Sequence, residues 1–233
     1  MKVLCIDCGN TRLKWGVRQG DAWIERGAAA FSELKALPGE ADRIVACNVA
    51  GVPPRLTLEA LAANCGKTIE WVRARAEQCG VTNCYEHPEQ LGADRWAALI
   101  GARAIHGGDC VVVMSGTATT IDMLTADGRF QGGVILPGVT MMRDALAAGT
   151  ADLPPSAGEY RDLPRNTFDA IASGCLDATL GAVERVFRRL PPGDAFCLLS
   201  GGAAGGVSPR LTLPHRVVEN LVLEGLAVIA ADG

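Results

Sequence analysis

Val3-Leu4-Cys5-Ile6-Asp7-Cys8-Gly9-Asn10-Thr11 is an apolar run that stops in a small polar turn. The same succession returns as Cys110-Val111-Val112-Val113-Met114-Ser115-Gly116-Thr117-Ala118-Thr119-Thr120. A short run of consecutive apolar residues closed by glycine and Thr or Asn signals a buried strand ending in a tight turn. After each turn comes a hairpin pattern. In the first half, a strand over 13–18 leads to Gly20-Asp21 and a return strand around 22–25. In the second, a strand over 121–125 leads to Asp127-Gly128, a strong two-residue hairpin signal, and a return strand over 133–136. Two halves with the same opening point to an ancient internal duplication.

Outward from these openings, 43–49 and 68–72 carry strand patterns around a helical segment at 55–63. That βαβ unit implies a partly parallel sheet and an α/β fold. Trp96, Leu99, Ile100 and Ala104 fall at helical spacing within 93–106. A longer helix is expected over 167–190, with Asn166 or Thr167 as N-cap and Ile171, Cys175, Ala178, Ala182, Val186 and Leu190 on one face. A strand over 195–199 stops at Ser200-Gly201-Gly202, and a helix over 217–230 ends the pattern. The break at Gly107-Gly108 divides the chain into expected lobes 1–107 and 108–233, and 152–164 is the expected mobile loop.

The 233 residues carry 22 Lys and Arg against 26 Asp and Glu, a formal charge of −4, with no basic run, which argues against nucleic-acid binding. No apolar stretch approaches the roughly 18 residues of a membrane span, and Lys2 and Asp7 interrupt the region where a signal peptide needs its apolar segment. A cytoplasmic location without membrane partners is therefore expected. Nine cysteines, an odd and scattered set, fit reduced thiols. Cys5 and Cys8 form a C-x-x-C, but no second pair sits at zinc-site spacing and none of His87, His106 and His215 is near in sequence. Cys5 therefore reads as an apolar strand residue.

Three glycine-bearing turns follow buried strands, at 7–11, 115–120 and 200–206. Glycine lets backbone N–H groups approach phosphate, and Thr and Asn add side-chain donors. No Walker A or complete G-x-G-x-x-G pattern is present, and each turn taken singly is also compatible with an ordinary hairpin. Asp7 beside phosphate-binding amides makes sense with a cation between, for which Mg²⁺ is suited; the other reading is an Asx-turn acceptor. Lys14 lies on the next strand, as a phosphate contact or a solvated lysine. Asp94 and Arg95 open a helix between Gly92 and Trp96. They suit either a helix-start carboxylate with a solvated arginine or a proton acceptor beside a cation for an anionic substrate.

Asp7-Cys8-Gly9-Asn10-Thr11-Arg12-Leu13-Lys14-Trp15-Gly16 resembles the first phosphate motif of the type III pantothenate kinases, members of the acetate and sugar kinase, Hsp70 and actin superfamily. Leu91-Gly92-Ala93-Asp94-Arg95-Trp96 resembles their substrate motif. Gly116-Thr117-Ala118-Thr119-Thr120-Ile121-Asp122 resembles the second phosphate motif, followed by Gly132-Gly133-Val134-Ile135-Leu136-Pro137-Gly138. Ser200-Gly201-Gly202-Ala203 stands where adenosine-binding glycines would be. The resemblance spans nearly the whole chain. It implies two ribonuclease-H-like lobes with mixed sheets flanked by helices, ATP in a cleft between them, and a homodimer that phosphorylates pantothenate. Asp94 would be the general base, and Tyr85, Gly92, Ala93 and Arg95 would contact substrate, together with a Thr167 supplied by the partner subunit. Residues 7–14 and Thr117 would bind ATP, with Asp7 at Mg²⁺, directly or through water.

One departure stands out. Where many members carry an aspartate for an activating potassium or ammonium ion, this chain has Met114. A thioether is a poor ligand for a hard cation, so weak or absent activation is expected. Two competing readings are a sugar kinase of the same superfamily and an ATP-binding regulatory module. The first needs a polar sugar pocket in place of a carboxylate clamp; the second, lost chemistry despite intact Asp7, Asp94 and Arg95.

Overall fold

The computed structural model describes residues 1–151, 153 and 157–232, so part of the loop expected over 152–164 lies outside the described residues. The elements are β1 (Lys2–Cys8), β2 (Leu13–Gln19), β3 (Ala22–Ala29), β4 (Arg43–Asn48), α1 (Val52–Asn64), β5 (Ile69–Trp71), β6 (Glu77–Gln78), β7 (Val81–Asn83) and α2 (Ala93–Ile105). They continue with β8 (Cys110–Ser115), β9 (Ala118–Leu124), β10 (Arg129–Pro137), α3 (Val139–Gly149), α4 (Thr167–Phe187), β11 (Phe196–Ser200), α5 (Ala204–Val207), β12 (His215–Val217) and α6 (Leu221–Asp232).

Two compact units result, one of residues 1–107, 127–131 and 220–233, the other of 108–126 and 132–219. The linear division at 107/108 thus differs from the tertiary one at two places, the tip of the β9–β10 hairpin and the last helix. In the first unit the strand order is β3-β2-β1-β4-β5. β1, β2 and β3 are antiparallel neighbours, and β4 and β5 continue in parallel. In the second unit the order β10-β9-β8-β11-β12 repeats that plan, with β8 antiparallel to β9 and parallel to β11, and β12 parallel to β11. The duplicated opening seen in the sequence therefore belongs to a duplicated topology.

The inner strands read as unbroken apolar runs because helices cover both faces of such sheets. Leu4, Ile6 and Cys8 of β1 pack with Ile44, Ala46, Leu58 and Ala62 on the α1 side. By strand alternation Cys5 and Asp7 face the other way. Cys5 and Cys8 therefore lie on opposite faces, both buried, and burial pushes each thiol to about 12. On the helix side, α2 crosses α6 at two glycines. A Cβ on Gly101 would stand 2.6 Å from the Leu221 carbonyl oxygen, and one on Gly225 would strike the Ala97 carbonyl. That close approach returns α6 to the first unit.

The second core joins Val111, Val113 and Ile121 to Leu176, Leu180, Val183 and Val186 of α4. Of the expected face, Ile171, Cys175, Val186 and Leu190 are buried, while Ala178 is exposed, Ala182 is half-buried, and Leu176, Leu180 and Val183 join the core instead. The larger side chains orient the helix because each buries more apolar surface, roughly 1.5–3 kcal/mol for Leu or Val. Asn166 is the N-cap, its side-chain oxygen accepting from the Asp169 N–H at 2.9 Å. The last helix starts at Leu221, four residues later than expected, because 215–217 form β12 and Asn220 takes φ = 53°. Among the described residues no helix is long and apolar enough to cross a membrane.

Candidate functional site

In the first unit, the turn after β1 and the first turn of α2 bring together two carboxylates that are 87 residues apart in the chain. Asp7, next to last in β1, lies opposite Lys14 of β2 and beside Cys47 of β4 in register. The Cys47 thiol donates to Asp7 Oδ1 at 3.6 Å. Burial pushes the Asp7 carboxyl up to about 6, the Asp94 charge adds to the rise, and Lys14 and the Cys47 thiol oppose it. Asp94 is also raised by burial, against the Arg95 N–H that donates to its Oδ1 at 2.8 Å and against the Arg95 guanidinium. Carboxyl groups whose burial disfavours their charge are suited to accept a cation or a proton. Asn10, Thr11 and Arg12 of the intervening turn are exposed, with Gly9 half-buried, as a phosphate-binding turn requires.

The substrate-motif residues meet in the same unit. Arg95 is 5% exposed, and its Nη1 donates to the Tyr85 hydroxyl at 3.2 Å. Its guanidinium lies 5.8 Å from the Tyr85 ring centre and 5.9 Å from that of Phe130. The two rings are 5.1 Å apart, tilted by 46°. Phe130 and Cys47 were not singled out from the sequence, because a phenylalanine in a strand and a cysteine in an apolar run carry no local chemical signal. Gly92 and Ala93 shape the start of α2, with the Gly92 carbonyl accepting from the Trp96 N–H.

In the second unit the remaining turns converge. Gly138 packs its Cα against the carbonyls of Gly116 and Thr117, and donates its N–H to Thr117 O at 2.9 Å. Gly201, at φ = 103°, sits on the Ser115 backbone, whose carbonyl accepts from the Ala203 N–H at 3.0 Å. Side chains at 138 or 201 would collide there, which explains glycine at both positions. Ser115, Thr119 and Thr120 keep buried hydroxyls without hydrogen-bond partners among the described residues. Buried polar groups are ordinarily satisfied, so these hydroxyls fit a polar ligand. Thr167 is exposed at the first position of α4, freed from capping by Asn166. Met114 lies in β8 opposite Thr120 and beside Ser200.

No group of three or more His, Cys, Asp and Glu positioned for a metal exists among the described residues. Mg²⁺ does not need one, because it takes one or two carboxylates, water and substrate phosphates. Asp7, disfavoured as a bare buried anion, fits that donor set.

The repeated β-plan with glycine turns after its inner strands defines a duplicated α/β fold. The fold alone is shared with a Campylobacter jejuni protein assigned to the Baf family of transcriptional activators, at TM-score 0.66 and 20% identity, covering 98% of this chain and 97% of that one. It is shared too with a Sinorhizobium meliloti protein described as a 2-dehydro-3-deoxygalactonokinase, at TM-score 0.60 and 16% identity, covering 98% of each. A family model for type III pantothenate kinase matches residues 3–189. The Aromatoleum aromaticum protein named Type III pantothenate kinase is 52% identical over 239 residues, covering 99% of this chain and 98% of its own. That of Dechloromonas aromatica is 47% identical over 234 residues, covering 98% of each. The chain belongs to the type III pantothenate kinase family and is a kinase.

Proposed function

We propose that this chain transfers the γ-phosphoryl group of ATP to the 4′-hydroxyl of pantothenate, the first step of coenzyme A biosynthesis. The observation that carries the residue assignment is the placing of Asp94 and Arg95 at the start of α2, close enough to Asp7 for the Asp94 charge to raise its pKa. Asp94 takes the hydroxyl proton as the alcohol oxygen bonds to phosphorus and the bond to the ADP oxygen breaks. A carboxyl raised by burial is a better base than a solvated one. Arg95 and Tyr85, with Gly92 and Ala93, receive the pantothenate carboxylate and backbone.

In the first unit, the turn 9–12 offers its N–H groups and Lys14 its ammonium to the phosphates of ATP. Mg²⁺, when bound at Asp7 directly or through water, supplies charge neutralisation on the phosphates. Positioning and electrostatics account for most of the acceleration of phosphoryl transfer. With Met114 in β8, potassium or ammonium activation is weak or absent.

The active form is a homodimer in which Thr167 of one protomer reaches the other's substrate. Support comes from α3, which buries none of its residues, and from the exposed Met141, Leu146, Leu163 and Phe168 in the same unit. An ADP-release assay with pantothenate and a sugar panel tests the reading. Turnover with pantothenate alone is expected; turnover with a sugar, or ATP binding without substrate-dependent turnover, overturns it.

A further inference from the structure

Phe130 is distant in sequence from every substrate-motif residue, yet its ring lies under Arg95. The strand segment Arg129-Phe130 pairs in parallel with Thr82-Asn83 of β7, and the Phe130 carbonyl accepts from the Cys84 N–H at 3.1 Å. The hairpin tip sets that register. Gly128, at φ = 83°, presses on the Gly80 carbonyl where any Cβ would collide, and its own carbonyl accepts from the Thr82 N–H at 2.9 Å. Phe130 is wholly buried, so it does not touch substrate. Its ring instead forms a corner with Tyr85, and the Arg95 guanidinium occupies that corner about equally far from both ring centres.

We infer that Phe130 is a positioning residue for recognition of the substrate carboxylate, acting through Arg95 and Tyr85. A guanidinium is attracted to the electron-rich faces of aromatic rings, and packing against two of them fixes the plane in which its N–H fork lies, the fork whose geometry matches a carboxylate. The Tyr85 ring and hydroxyl hold the guanidinium on one wall of the corner, and the Phe130 ring is the other wall. The inference rests on the assignment of Arg95 to the pantothenate carboxylate.

Phe130→Met keeps volume and apolarity but removes the ring face, and Phe130→Tyr restores it. For Phe130→Met the pantothenate KM is expected to rise about 3- to 10-fold, with kcat and the ATP KM within about twofold of the parent, and Phe130→Tyr to restore the parent KM. Inhibition by pantothenol, which carries a hydroxymethyl group instead of the carboxylate, should be unchanged in both variants. Equal losses toward pantothenate and pantothenol, or a parent-like KM in Phe130→Met, would overturn the inference. Arg95→Lys separates this from the underlying assignment. A raised pantothenate KM in Arg95→Lys with a parent-like Phe130→Met rejects Phe130 alone, whereas an unchanged KM in Arg95→Lys rejects the carboxylate assignment itself. If Phe130→Met lowers the unfolding midpoint, calorimetric titration of pantothenate and pantothenol at a temperature where the fold is intact reads the same ratio.

Discussion

Asp7 combines a functional position with a cost to stability. Its folded pKa of about 6 lies above the usual value near 3.9 of an unfolded aspartate. Between those values the folded protein holds the extra proton, so stability falls as pH rises from about 4 through 6 and the penalty is fully present at pH 7. Asp7→Asn removes the charge and should raise the unfolding midpoint of the ligand-free protein at pH 8, with the gap closing by about pH 4. A gap independent of pH would reject the burial account. The same variant should lose Mg·ATP use. Asp94→Asn should lower kcat by about 10²–10⁴ while leaving the fold and calorimetric pantothenate binding intact; parent turnover would remove Asp94 as the base. For Met114, exchange of potassium for tetramethylammonium at constant ionic strength should change activity little. A large saturable potassium requirement would place the ion's ligands elsewhere.

At the scale of elements, the crossing of α2 and α6 controls where Asp94 and Arg95 stand. Since Gly225 leaves no room for a Cβ beside the Ala97 carbonyl, Gly225→Ala should cost about 1–3 kcal/mol in urea unfolding and reduce activity in parallel. Unchanged stability would mean that the helices separate freely. Helix positions here were legible from spacing, but orientations were not. In α4 the expected Ile171 and Cys175 are buried, but packing against Val111, Val113 and Ile121 turns Leu176, Leu180 and Val183 inward as well and leaves Ala178 outside. The start of α6 was obscured because Val217 and Val218 extend the apolar pattern back from Leu221, and the pairing of 215–217 with β11 is a long-range event.

For the whole molecule, the shared-site dimer makes a quantitative demand. If Asp94 and Thr167 act in one site from different protomers, a heterodimer of Asp94→Asn with Thr167→Ala contains one site with both defects and one with neither. Mixing the two weakly active variants under exchange should then recover about a quarter of the parent activity, because half the dimers are mixed and half their sites intact. No recovery, with mixed dimers demonstrated by mass spectrometry, would reject Thr167 in the partner's site.

The apolar runs, their glycine turns and the repeated hairpins determined by themselves that the chain is a duplicated α/β protein, since these signals act over a few neighbouring residues. The acids Asp7 and Asp94 were legible too, because a carboxylate beside a phosphate-type turn or at a helix start has a local chemical meaning. Tertiary structure decided the rest. It set Cys47 against Asp7, returned α6 to the first unit across Gly101 and Gly225, and placed Phe130 beside Tyr85 and Arg95. Each of these depends on register between distant strands or on how closely two backbones approach. Such contacts are set by packing of the whole unit and leave no periodic trace in the local sequence.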